Sequence, residues 1–463
     1  MERVTAISPT HNPGRTLTAV LTSAWSQLSR RYLGRRWMAR PASESVNLIH
    51  DTTYRRARSA TARIIHRVDD AVSALTRVNR RVLFEAASPM SLAVFRPVLD
   101  VLRRDPRIEV WYTTSDGAWN PASVFGPAGI TDRVIAAADA KWMKFDAYIN
   151  TDFWNMTWLP RRARRVHLFH GVAGKYGLDA PTRIAPVVAT FDRLLFPNRD
   201  RLTRYVDAGL VDRDGPVAAL IGYPKVDCLV DGSLDRIGIL RSLGLDPSAP
   251  TVLYAPTWSP DSSLAIAGES IIASLARLGG NVIVKLHDRS YDRSDRASGA
   301  IDWRLRIERI CRDCGVHLAR GFDASPYLFS ADAVVTDHSS IGFEFMLLDR
   351  PVVVVDCPTL LVKARVSRDK VAQLRSAADV TAAVDTAATV RRALADPGRH
   401  SKRRLAIADE LFYAPGHASS RAASCIYDVL ALPEPVAVPV RVPAEVPAGF
   451  SSLRNQNELK VLS

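Results

Sequence analysis

Four short polar segments in this 463-residue sequence each follow a run of apolar residues, where a strand would hand over to a loop. In His170-Gly171-Val172-Ala173-Gly174-Lys175, the histidine is the side-chain type that exchanges protons near neutral pH, so His170 can act as general base on an acceptor hydroxyl. Gly171 allows a ligand close to the backbone, and Lys175 can neutralise a phosphate. In Tyr254-Ala255-Pro256-Thr257-Trp258, Pro256 ends the strand and Thr257 can donate to a phosphate or a base. In Lys285-Leu286-His287-Asp288, strand alternation puts Lys285 and His287 on one side. Two potential cations there suit a diphosphate whose leaving group needs charge stabilisation, while Asp288 could pair with one of them. In Thr336-Asp337-His338-Ser339-Ser340, the two serines stand at a helix N-cap, where unpaired N–H groups and the helix dipole attract anions. Asp337 and His338 add polar groups at this turn, Gly342 leaves space for phosphates, and Glu344 can accept hydrogen bonds from ribose hydroxyls. Each segment also has a plain structural reading: a polar loop, a strand-ending turn beside a packed Trp258, an ion pair, a helix cap.

The elements that would position these residues alternate between strand and helix. Strands are expected at 81–85, 108–112, 147–150, 166–169, 193–196 and 218–222, then at 251–255, 281–285, 333–336 and 352–356. Helices are expected between them, including one with Leu92, Phe95, Val98, Leu99 and Leu102 on one face, and others at 199–209, 268–278 and 340–348. This order predicts an α/β protein of two doubly wound parallel sheets with a cleft between them. The expected division is a basic, partly helical arm (1–78), a first Rossmann-like domain for the acceptor (79–235), a second for a nucleotide donor (236–431), and a Pro/Val-rich disordered tail (432–463).

Net charge is +14, and residues 1–80 hold 14 arginines against five acidic residues. An amphipathic stretch at 15–40 suits an anionic membrane surface, although a helix packed on the protein's own core would give the same stripe. No run of about 18 apolar residues exists, so no membrane-spanning helix is expected. The five cysteines are scattered, which argues against a disulfide framework. No P-loop and no complete dinucleotide fingerprint is present. Asp212-Arg213-Asp214 reads as a solvated turn rather than a metal site. Phosphate charge is therefore expected to be met by His, Lys, hydroxyls and helix N-termini, with no metal ligands assigned, no cofactor required and a divalent metal optional.

Taken in order, five pieces resemble the CDP-glycerol glycerophosphotransferase family, which includes teichoic acid polymerases and primases. They are His170-Gly171, Gly222-Tyr223-Pro224-Lys225-Val226-Asp227, Tyr254 to Trp258, Lys285-Leu286-His287, and Thr336 to Ser340 with Phe343-Glu344-Phe345. The resemblance covers roughly residues 145–420 and implies a GT-B-type fold. It implies attack of an acceptor hydroxyl on the glycerol-bearing phosphorus of CDP-glycerol, with CMP leaving. His170 would be the base, and His287 would stabilise the donor phosphates or departing CMP. Ser339 and Ser340 would hold the diphosphate and Glu344 the ribose. The implied partners are a CDP-activated polyol donor, a lipid-linked or polymer acceptor, and the cytoplasmic membrane face, bound peripherally; residues 15–40, outside the matched region, could serve that attachment. Asp288, His338 and Glu344 depart from the family's frequent Pro, Tyr and Asp at those places. A GT-B glycosyltransferase or sugar-nucleotide epimerase using a UDP- or GDP-sugar, and a non-catalytic binding protein, are the alternative readings. Nucleic acid is not an expected partner, because the folded part has no aromatic-basic platform.

Overall fold

A computed structural model describes residues 79–115, 119–153, 159, 163–172, 181–291 and 301–435, with a few positions between 64 and 72. The 15–40 segment, Lys175 and the tail beyond 435 lie outside the described residues.

The first sheet comprises β1 (Arg80–Glu85), β2 (Ile108–Thr113), β3 (Ala147–Asn150), β4 (Arg164–Leu168), β5 (Arg193–Phe196) and β6 (Ala218–Leu220). Its strands are all parallel, in the order β2-β1-β3-β4-β5-β6. The second comprises β7 (Thr251–Tyr254), β8 (Asn281–Val284), β9 (His317–Leu318), β10 (Ala333–Thr336), β11 (Val352–Val355) and β12 (Asp379–Thr381). These are also parallel, in the order β12-β11-β10-β7-β8-β9. Helices cover both faces of such sheets, so their strands are apolar in continuous runs rather than alternating. The Val352–Val355 run is buried at all four positions for this reason. The expected α/β architecture of two doubly wound sheets is what the chain adopts, and it is of GT-B type. Two short strands escaped the sequence reading. β9 and β12 span only two and three residues at the sheet's edges and carry no long apolar run.

The winding direction reverses between β1 and β3 in the first sheet and between β7 and β10 in the second. Loops leaving the two strands at such a point diverge and open a crevice at their carboxyl ends. The crevices are therefore bounded by residues 86–88 and 151–153 in one domain, and by 255–257 and 337–340 in the other.

The helices that matter for the site are α1 (Pro89–Leu102), α2 (Arg199–Asp207), α3 (Ser263–Ala276), α4 (Ser340–Met346), α5 (Ser401–Leu411) and α6 (Ala418–Val429). α1 begins with Pro89, whose fixed φ suits a first helical position, and buries the predicted Leu92, Phe95, Val98, Leu99 and Leu102. α3 is broken at Ala267 (φ −154°), so its regular part starts at 268, where the spacing had placed it. Among the described residues, no helix is long and apolar enough to cross a membrane.

The two sheets share one core, in which Val82 and Ile149 belong to the same apolar cluster as Leu253, Val334 and Val352. The chain then recrosses, because α6 packs on α1 and the Tyr427 hydroxyl donates to Asp105 at 3.1 Å. Asp227 anchors this return. Its carboxylate accepts from the N–H groups of Gly416, Ala418 and Ser419 (2.9, 3.1 and 2.7 Å) and from the Ser419 hydroxyl (2.6 Å). An acidic side chain on the first N–H groups of a helix satisfies donors that the helix itself cannot.

Gly222, five residues earlier, has φ +91°, and a Cβ there would lie 2.5 Å from the Tyr413 carbonyl oxygen. Both the conformation and the backbone neighbour exclude a larger residue. Gly222→Ala is expected to destabilise the protein by about 2–4 kcal/mol, combining left-handed strain with overpacking. A urea unfolding midpoint equal to that of the parent protein would refute this.

Candidate active site

One wall of the cleft belongs to the first domain. His170 lies just beyond β4, and its Nδ1 is 2.7 Å from the Thr151 carbonyl oxygen. A carbonyl can only accept, so Nδ1 carries a proton and Nε2 is left to act as base. Asp152 Oδ1 stands 3.4 Å from the same Nδ1. The other Asp152 oxygen accepts from the hydroxyls of Thr151 (3.0 Å) and Ser91 (3.2 Å). The His170 side chain is 24% exposed, in contrast to its neighbour His167. His167 is buried, stacks on Phe153 with ring centroids 3.8 Å apart, and has its Nδ1 2.9 Å from Asn150 Oδ1. Burial drives the His167 pKa well down, so it stays neutral as part of the core.

The loop that carries His170 is held tightly. Gly171 sits at φ +81°, a region that disfavours side chains even though nothing lies within 4 Å of the Cβ position. Its N–H bonds the Tyr223 hydroxyl, and its carbonyl accepts from Arg201 Nη1 at 2.8 Å. Asn198 caps α2 and also donates to the Val172 carbonyl at 3.1 Å. The two backbone polar groups of Gly171 are thus spent on protein partners, and its turn sets the position of His170.

The facing wall belongs to the second domain. His287 follows β8, is 26% exposed, and has Trp258 beside it with ring centroids 6.4 Å apart. Its Nδ1 lies 2.6 Å from Asp288 Oδ1. Of the two readings of Asp288 open in the sequence, pairing with a neighbouring side chain, His287, is the one adopted. Lys285 is buried and donates to the Leu286 carbonyl at 2.7 Å. Burial, opposed by the charge of Asp288 and reinforced by that of Lys225, pushes the Lys285 pKa down to about 8.

The turn after β10 divides into two groups. Asp337 is fully buried and accepts from the Thr257 N–H (3.1 Å to each oxygen), the Thr257 hydroxyl (2.5 Å), and the Ser263 N–H and hydroxyl (both 3.1 Å). These bonds tie the β7 loop and the start of α3 to the β10 loop. In this arrangement Asp337 and Thr257 brace the two loops against each other. His338 is buried as well. Gly342 faces the sheet, since a Cβ there would meet Leu374 Cδ1 at 3.0 Å and Thr336 Cγ2 at 3.4 Å. Its small size lets α4 sit close on β10 rather than making room for phosphates. Ser339 is the N-cap of α4 but makes no side-chain capping bond, and Ser339 and Ser340 are both half-buried at the crevice.

Glu344 has a partner that spacing alone did not suggest. Its Oε2 is 2.7 Å from Lys225 Nζ, and both side chains are buried. Burial alone would lower the Lys225 pKa, but Glu344 and the nearby Tyr223 and Asp323 raise it above the usual lysine value. A carboxylate committed to this pair is not presented to a ribose, so Glu344 is read as part of the brace. The strip 222–227 thus joins three parts of the site: Tyr223 reaches the His170 loop, Lys225 reaches α4, and Asp227 reaches α6. Its Gly-Tyr-Pro-Lys-Val-Asp spacing was the visible signal.

The two histidines converge on one helix end. Asp152, beside His170, binds Ser91, while Asp288, beside His287, accepts the Met90 N–H at 2.9 Å and bonds the Ser88 hydroxyl. The first turn of α1 therefore holds both carboxylate partners. Sequence reading missed Asp152, Ser88 and Ser91, because nothing local marks Ser91 as the partner of Asp152 or Ser88 as the partner of the second domain's Asp288. Among the described residues, no three His, Cys, Asp or Glu side chains are grouped to hold a metal ion.

Residues 140–359 match the family model for CDP-glycerol:poly(glycerophosphate) glycerophosphotransferase. No curated protein sequence matches the chain. Among solved structures, the chain is similar to the wall teichoic acid polymerase TagF, at TM-score 0.58 and 13% identity over 84% of this chain and 99% of that one. A histidine-to-asparagine TagF variant soaked with CDPG gives TM-score 0.59 and 14% identity with the same coverage. At such identity the likeness carries the fold alone. Residues 140–359, where the chain is similar to the CDP-glycerol:poly(glycerophosphate) glycerophosphotransferase family, span the β3–β4 wall, the 222–227 strip, both strand-end segments of the second sheet and α4.

Proposed function

We propose that the protein transfers glycerol phosphate, or a related polyol phosphate, from a CDP-activated donor to a hydroxyl of a cell-envelope acceptor and releases CMP. The observation that carries this reading is the pair of histidines on facing domains, each with its Nδ1 held by an acceptor. The acceptor oxygen attacks the glycerol-bearing phosphorus, and its proton passes to His170 Nε2. The bond from that phosphorus to the bridging oxygen breaks, and CMP departs with the electron pair. His287 Nε2 faces the charge that develops on the departing phosphate, and Asp288 compensates positive charge on the ring. Ser339 and Ser340 offer hydroxyls at the switch-point crevice of the second sheet, and Lys285 supplies a cation. The test is direct: incubation with CDP-glycerol and a lipid-linked acceptor should release CMP in step with acceptor elongation. Release of UDP or GDP from a sugar donor, with CDP-glycerol inert, would transfer the assignment to a glycosyltransferase.

The basic arm is proposed to bring the enzyme to an anionic cytoplasmic membrane face, where lipid-linked acceptors lie. Support comes from its arginine content, 14 arginines within residues 1–80. Deletion of residues 1–75 should weaken binding to phosphatidylglycerol-containing vesicles, and equal binding would remove the arm from the scheme.

Lys285 gives the reaction a pH signature. The free enzyme's lysine loses its proton as pH rises through about 8. A bound diphosphate favours the cation, so the donor draws a proton onto Lys285. The donor KM should therefore rise above pH 8, by at most about tenfold per pH unit. In Lys285→Met this rise should vanish while the overall KM is higher. A parallel pH dependence in the variant and the parent enzyme would exclude Lys285 from donor binding.

A further inference from the structure

The Asp288 carboxylate is spent on two domains at once. Oδ1 lies 2.6 Å from His287 Nδ1 and 2.8 Å from the Arg289 N–H, both on its own loop. Oδ2 accepts the Met90 N–H at 2.9 Å, and the Ser88 hydroxyl adds a second bond from the first domain.

The receiving end is suited to an anion. α1 is 14 residues long, has no acidic residue in its first turn, and the side chain of its N-cap Ser88 makes no capping bond to its own helix. The positive end of the helix dipole and an unpaired N–H are thus satisfied by a side chain from the other domain. Burial would raise the Asp288 pKa, but the His287 ring and the hydrogen bonds from His287, Met90 and Ser88 hold it well below the usual carboxylate range. An ionised carboxylate only accepts, so the 2.6 Å contact requires a proton on His287 Nδ1. The Arg289 N–H also lies 3.2 Å from that nitrogen, but the carboxylate is the closer and stronger acceptor for it.

We propose that Asp288 is a positioning residue that couples domain docking to the donor-side histidine. One oxygen keeps a proton on His287 Nδ1, so that a second proton, the one that makes the ring a donor to the leaving phosphate, is carried by Nε2; the other latches the donor domain on the first turn of α1. His287 then has its Nε2 aimed into the cleft only when the two domains are docked. The catalytic part of this inference rests on the donor-side role given to His287 above, whereas the latch and the tautomer do not.

The test uses the full-length protein with 15N-labelled histidine. In the parent protein, at a pH where the His287 ring is uncharged, it should give the signals of a single Nδ1–H tautomer. In Asp288→Asn it should give a mixture, and kcat for CMP release should fall by about 10- to 100-fold with donor KM changed by less than about threefold. Hydrogen exchange at the Met90 amide should quicken by about tenfold or more in Asp288→Ala, with Ser88→Ala intermediate. An unchanged His287 tautomer together with unchanged Met90 exchange in folded Asp288 variants would overturn the proposal. Should those variants fail to fold, Ser88→Ala decides it: Met90 exchange at the parent rate would overturn the latch. Absence of CMP release in the parent enzyme would instead count against the transferase reading, since the two spectroscopic readouts need no turnover.

Discussion

Replacing His170 with asparagine is expected to lower acceptor-dependent turnover by about 10²- to 10⁴-fold, the range that a general base contributes. Asparagine can still donate to the Thr151 carbonyl, which His170 reaches at 2.7 Å, so the loop should keep its shape. The loss would then fall on Nε2, the atom that receives the acceptor's proton. Because His170 belongs to the first domain and the donor is assigned to the second, calorimetric affinity for CDP-glycerol should stay within about threefold of the parent value. Slow acceptor-independent hydrolysis of the donor, where it occurs, should also be less affected than transfer. Turnover within about tenfold of the parent enzyme would remove the base role from His170.

The brace beneath this base explains why an intact loop is expected. Arg201 and Asn198 hold the carbonyls of Gly171 and Val172, and Tyr223 holds the Gly171 N–H. These partners lie between 26 and 52 residues away in sequence, and they recur as a unit only in the folded chain. That separation also marks what was legible beforehand. Strand runs such as Ala147–Asn150 and Val352–Val355 announce themselves, because a strand covered on both faces must be apolar throughout. The candidate residues were picked out by the same pattern, since polar residues just after such runs fall at carboxyl ends of strands. Which way each polar side chain points did not follow. Asp337 turned inward onto Thr257 and Ser263, and Glu344 turned onto Lys225, because buried donors on neighbouring elements needed acceptors. Ser339 and Ser340 remained at the crevice because α4 begins there without needing a side-chain cap. A strand-end motif therefore places polar residues at a crevice and does not say which of them turn inward to hold the loops.

The same distinction separates the two histidines by the reaction each supports. His287→Ala should reduce kcat by about 10²- to 10³-fold, comparable to removing one donor aimed at developing charge. In contrast to His170→Asn, the loss should extend to acceptor-independent release of CMP, because both routes break the bond to the same leaving phosphate. Trp258 and Asp288 flank the ring, so the alanine leaves a gap between fixed walls rather than a collapsed loop. Imidazole added to the variant should therefore restore part of the activity, and it should do so less in His287→Ala carrying Asp288→Ala, where nothing holds the added ring's Nδ1. Structural loss of the Asp288 latch is separable by the Met90 exchange rate, which should stay near the parent value in His287→Ala because Ser88 and Met90 keep their acceptor. If His287→Ala loses transfer but releases CMP from CDP-glycerol at the parent rate without acceptor, then the ring does not serve the leaving group, and its role moves to the acceptor side of the cleft.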